Sequence, residues 1–116
     1  MHTHALSLVL LLGVGAWGHA QDGTLVERTP VRWPEEVVSG ADAEDRLAAV
    51  TVDRITYLSG GLKVQGFVLE PTSPGPHPCL IFNRGGNREF GKISEAFLWR
   101  FLVPMANWGY VVVASQ

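Results

Sequence analysis

Hydrophobic and polar positions alternate along two stretches, Val50 to Leu58 and Leu62 to Leu69, the second placing Leu62, Val64, Gly66 and Val68 on one face. Period-two spacing marks a half-buried strand, because successive Cβ atoms point to opposite sides of a sheet. Ser59-Gly60-Gly61 lies between the two runs and predicts an antiparallel hairpin. Two shorter runs, Cys79 to Phe82 and Val111 to Ala114, are apolar at every position, as expected of strands covered on both faces in a mainly parallel sheet. Between them Ile93, Phe97, Phe101, Met105 and Trp108 recur at helical spacing. Ser94, or a residue just before it, is the expected cap and Gly109 the expected stop. Pro104 interrupts this pattern: it lacks an N–H and crowds the carbonyl of Arg100, so a kink or break is predicted there.

Other segments frame these elements. Pro71 to Pro78 holds four prolines and denies the backbone both helix and ladder donors, which makes it a surface crossover. Residues 21–49 are polar with an acidic bias and read as a lead-in segment; Trp33-Pro34 excludes helix locally, while Ala41 to Val50 has room for a short one. Trp33, Trp99 and Trp108 are expected to pack in the core. Residues 1–20 read as an export signal, with an apolar stretch from Ala5 to Ala16 and small residues at Gly18 and Ala20 for cleavage after Ala20. That stretch is shorter than the roughly 20 residues of a spanning helix, so no stable membrane association is expected after cleavage. The implied location is periplasmic or extracellular. The remainder, residues 50–116, reads as the opening part of an α/β sheet: an antiparallel hairpin, then strand, glycine loop, helix and strand. Val111 to Ala114 needs cover on both faces and only one helix precedes it, so the sheet is expected to be incomplete at the C-terminus and the chain to belong to a longer protein.

Composition narrows the partners. The chain of 116 residues has 17% charged residues and a formal net charge of −2 with no basic block, which disfavours nucleic acid and leaves peptides or small molecules. A single cysteine, Cys79, excludes an intramolecular disulfide and is expected to be a small buried hydrophobe. His77 sits in the proline-rich loop and His2, His4 and His19 lie in the signal, so neither a metal nor a cofactor is implied.

The candidate chemistry is Asn83-Arg84-Gly85-Gly86-Asn87, directly after the apolar run that ends at Phe82. Without a Cβ, Gly85 and Gly86 can take positive φ and let a substrate oxygen approach bare backbone N–H groups. The alternative for the same residues is a plain tight turn. Arg84, Asn87 and Arg88 are candidates for contact with a substrate carboxylate or carbonyl, or are simply solvated loop polars. No catalytic residue is identified: Ser59, Ser73, Ser94 and Ser115 all lack a nucleophile-elbow context.

Three segments together carry a resemblance. "ITYLSGGLKVQGFVLEP", "HPCLIFNRGGN" and "WGYVVVASQ" resemble the hairpin, the His-Gly-Gly strand and loop, and the following strand of prolyl-oligopeptidase-like serine hydrolases of the α/β-hydrolase fold, over Ile55 to Gln116. Arg84 stands where that family often has His. The resemblance implies an exported serine peptidase whose Ser-Asp-His triad lies beyond Gln116, with Gly85, Gly86 and Asn87 forming the oxyanion loop and this segment alone inactive. An esterase of the dienelactone-hydrolase type and a small non-catalytic exported binding protein are the alternatives.

Overall fold

The computed structural model describes residues 21–116; the expected signal lies outside the described residues. They form a mixed α/β structure built on a five-stranded sheet. In chain order come β1 (Leu25–Pro30), α1 (Ala43–Ala48), β2 (Val50–Ser59), β3 (Leu62–Pro71), β4 (Cys79–Asn83), a helical stretch that opens as α2 (Glu95–Phe97) and closes as α3 (Val103–Asn107), and β5 (Val111–Ser115). The spatial order is β1-β2-β3-β5-β4, with antiparallel pairing throughout except between β4 and β5, which run parallel.

The predicted hairpin forms as expected. Gly60 and Gly61 take φ of 55° and 77°, the left-handed pair of a two-residue turn whose twist matches its strands, and Ser59 pairs with Leu62. The buried side of β3, however, carries Phe67 and Leu69, opposite to the Leu62, Val64, Gly66, Val68 set. Gly66 has a separate reason: a Cβ there would strike the Ala114 carbonyl of β5, so glycine sets how closely β3 and β5 approach.

One helical layer covers one face. Phe67, Leu69, Val112 and Ala114 from the sheet pack with Leu98, Leu102, Val103 and Ala106, and each of these side chains is essentially inaccessible to water. Fully burying such a side chain stabilises by about 1.5 to 3 kcal/mol for the larger ones. Trp99 joins them beneath an edge-on Trp33 at 5.8 Å, while Arg46 stacks over its ring at 4.1 Å and donates to its backbone carbonyl at 2.9 Å.

The interruption at Pro104 takes a specific form. Leu98–Leu102 is a π-helical turn, closed by the Val103 N–H on the carbonyl of Leu98, and it delivers Pro104 into the first turn of α3, where a missing N–H leaves nothing unpaired. This wider turn also moves the buried stripe. Leu98, Leu102 and Ala106 face the sheet, whereas Phe101 and Trp108, expected on the buried face, are 49% and 73% exposed. Ser94 caps the start, its Oγ accepting from the Phe97 N–H at 3.2 Å, and Gly109 ends the stretch at φ 98°.

Three further expectations are corrected. Leu25–Pro30, read as polar lead-in, is an edge strand paired with β2; it is exposed on both faces and therefore carries no alternating signal. Strand β4, expected to be covered on both sides, is an edge with Leu80 and Ile81 exposed: Ile81 lies on the face that the single helical layer leaves open, and Leu80, in register with Val112 on the covered face, is exposed at the edge of the sheet. Cys79, at its start, is consequently an exposed free thiol. Along that open face, register places Val68, Val113 and Ile81 side by side across β3, β5 and β4.

Candidate functional site

Parallel pairing of β4 with β5 runs in register from Cys79 opposite Val111 to Asn83 opposite Ser115, so both strands present their carboxyl ends together. Open α/β sheets admit ligands at that end of the strands. The glycine loop leaves β4 there. Gly86 and Gly91 adopt φ of 80° and 76°, and Gly85 takes ordinary backbone geometry with open space around it. The two glycines of the pair are therefore not equivalent: Gly86 makes the turn, with the Phe90 carbonyl lodged where its Cβ would stand, whereas a Cβ at Gly85 would meet nothing, and it is Gly91, for want of its own Cβ, that closes against the Gly85 carbonyl.

The loop is tied from within. Arg84 donates to the Arg88 carbonyl at 2.7 Å and to the Phe90 carbonyl at 3.4 Å, and the Phe90 N–H returns to the Asn87 carbonyl at 3.1 Å. Its guanidinium thus serves the loop itself. Arg88 has a left-handed backbone at φ 52°, a conformation that a long side chain adopts at a cost of about 1 to 2 kcal/mol. Among the described residues, no carbonyl accepts from the N–H groups of Gly85, Gly86 or Asn87. Those three exposed donors are thus unpaired among the described residues.

Below the loop, the side-chain amide of Gln116 clasps the Ile93 backbone in both directions, at 2.7 and 2.8 Å, which joins the residue after β5 to the start of the helical stretch. Lys63, Gln65, Arg84, Arg88, Lys92 and Gln116 line a groove of about 390 Å³ beside it. Sequence reasoning named Arg84 and Arg88 but missed Lys63 and Lys92. Lys63 is distant in the chain and reaches the site only because the hairpin places the start of β3 there.

Other candidate groups are occupied or apart. Ser115 Oγ lies 2.9 Å from the Tyr57 hydroxyl, Ser94 is a cap, and His77 Nε2 meets the Ser73 backbone carbonyl at 2.9 Å, so no serine and histidine side chains are brought together among the described residues. Nor is there a group of three or more His, Cys, Asp or Glu placed to hold a metal ion among them. A larger cleft of about 740 Å³ runs between α1 and α3 past Asp42, Arg46, Trp99 and Trp108. It shares no residue with the glycine loop, and its Arg46 is already committed to Trp99, so the smaller groove is the better site.

No family model matches the chain, and no solved structure matches it. Among curated proteins, the chain is 37% identical over 60 residues to a protein of Bacillus subtilis (strain 168) named "Uncharacterized peptidase YtmA". The match takes in 52% of this chain and 22% of that protein, so the chain spans less than a quarter of the length of its relative. The similarity supports a peptidase-like relationship.

Proposed function

We propose that this chain is the N-terminal part of an exported serine hydrolase of the α/β-hydrolase fold, a peptidase of the prolyl-oligopeptidase kind. The observation that carries the proposal is the set of N–H groups at Gly85, Gly86 and Asn87, unpaired among the described residues and lying at the carboxyl end of β4. Similarity to a protein named as a peptidase supports the same reading. So does the open apolar row of Val68, Val113 and Ile81, since a sheet with a parallel pair is ordinarily covered on both faces.

In this reading a serine outside the described residues attacks the peptide carbonyl while a histidine takes its proton. The carbonyl oxygen becomes an oxyanion, and the glycine-loop N–H groups stabilise it. Collapse expels the amine, which receives the proton from the histidine, and water then releases the acid by the same steps in reverse. Charge develops on the oxygen only as the tetrahedral species forms, so these donors act on the rate more than on substrate binding.

The test is made on the full-length protein. A fluorophosphonate probe is expected to label one serine outside residues 21–116, and a peptide p-nitroanilide is expected to turn over. Absence of both labelling and turnover in folded protein would sink the proposal.

A further inference from the structure

The groove beside the glycine loop gathers positive charge in a chain whose formal net charge is −2. Lys63, Arg84, Arg88 and Lys92 line it, opposed by a single carboxylate, Glu89. Two of these cations are already engaged: Lys92 faces Glu89 at 3.3 Å, and Arg84 is bonded to the loop carbonyls of Arg88 and Phe90. Lys63 and Arg88 form no ion pair among the described residues. A cluster of like charges is repulsive until an anion arrives.

Two independent features mark the same place. Arg88 is the one non-glycine residue with positive φ among the described residues, and Arg84 secures that conformation through the Arg88 carbonyl. Disfavoured backbone of this sort persists only where the surroundings impose it, and it gathers at ligand sites. The groove also opens where the parallel strands end, since Arg84 follows Asn83 of β4 and Gln116 follows Ser115 of β5.

We infer that this groove binds a carboxylate of a peptide ligand, either its free C-terminus or an acidic side chain. Arg88 supplies the planar fork that fits a carboxylate, Lys63 the second charge, and Arg84 is the positioning residue that fixes the Arg88 backbone. The inference rests on the peptidase reading for its choice of a peptide over a simple anion, and it gives that reading a substrate class.

Calorimetric titration of the full-length protein decides the matter. The ligands are an N-acetylated alanine tetrapeptide with a free carboxylate, the same peptide as its C-terminal amide, an amidated version with one aspartate, and inorganic phosphate. A carboxylate-bearing peptide is expected to bind about tenfold more tightly than the neutral amide, the effect of one charge-assisted hydrogen bond, and the preference is expected to shrink as salt rises. The free acid and the aspartate peptide distinguish the two sources of the carboxylate. Lys63→Gln and Arg88→Gly are each expected to remove most of the preference. Arg88→Lys is expected to keep part of it, and Arg88→Gly keeps the loop because glycine accepts the φ of 52°.

Binding of the neutral amide as tight as that of both the free acid and the aspartate peptide overturns the inference. So does phosphate binding as tightly as any peptide, or a preference that survives both neutral variants in folded protein. Turnover of an amidated neutral substrate without a carboxylate preference leaves the peptidase reading standing and removes this one. A carboxylate preference without turnover does the opposite.

Discussion

Adding one methyl group at Gly86 and one at Gly85 separates a functional glycine loop from a generic turn. At Gly86 the backbone is left-handed at φ 80°, which disfavours any L-residue with a side chain by about 1 to 2 kcal/mol. The new Cβ also meets the Phe90 carbonyl group, with its carbon only 2.9 Å away. That carbonyl is one of the two Arg84 donates to, the other being that of Arg88, so relieving the overlap loosens one of the ties that shape the loop. At Gly85 the φ is ordinary and nothing stands within 4 Å of the built Cβ, so alanine there is expected to change stability by no more than about 0.5 kcal/mol. Gly86→Ala is expected to destabilise by about 1 to 3 kcal/mol, which a domain with the usual 5 to 15 kcal/mol survives. Its effect on turnover is expected to be larger, about 10² to 10³ if one oxyanion donor is displaced. Urea denaturation and kcat/KM on a peptide p-nitroanilide, both measured on the full-length protein, give the two numbers. Equal losses for the two variants, or a Gly86→Ala rate loss no greater than its stability loss accounts for, would refute the assignment of the loop.

Other substitutions test the frame. Gly66→Ala is expected to destabilise by about 1 to 3 kcal/mol or more in thermal unfolding, because its methyl group has to enter the space of the Ala114 carbonyl between β3 and β5; full stability in this variant contradicts the register. Leu102→Ala removes a side chain with no exposure and is expected to lose about 2 to 5 kcal/mol in urea denaturation. Arg28 bonds Asp53 at 2.6 Å and Glu70 at 2.7 Å, and those hydrogen bonds, Glu70 first, hold its guanidinium above the usual arginine pKa. A raised folded pKa means a contribution that is complete below the unfolded value and lost only in strong alkali, so Arg28→Ala is expected to show the same loss at about pH 6 and about pH 9. Partial exposure of the pairs limits that loss to about 1 kcal/mol, and added salt is expected to reduce it. Finally, Cys79 is an exposed thiol at the open edge, so a disulfide reagent is expected to label it rapidly in residues 21–116; on the proposed hydrolase reading, in which further chain covers β4, labelling of the full-length protein is expected to be slow. Equal rates in the two contradict that covering.

Much of this arrangement was readable in the chain, because its signals are local. The hairpin follows from two period-two runs flanking Gly60 and Gly61, the cap from Ser94, the stop from Gly109, and the break from Pro104, and none of these needs a distant partner. The glycine pair after an apolar strand was also visible. What the tertiary structure decided is what depends on neighbours. Leu25–Pro30 is a strand only because β2 supplies its hydrogen bonds, and both of its faces stay exposed, so no hydrophobic pattern announced it. Cys79 to Phe82 reads as buried, yet apolar character states what a strand can bury and not whether anything lies over it. The π-helical turn that starts at Leu98 shifted the buried face from Phe101 to Leu102 and from Met105 to Ala106, since a one-residue change in winding rotates every side chain that follows. Lys63 joined Arg84 and Arg88 by the geometry of the hairpin, and the difference between Gly85 and Gly86 arose from where Phe90 comes back to close the loop. Sequence fixes what each residue can do, whereas burial, register and approach are properties of pairs, and pairs exist only once the chain has folded.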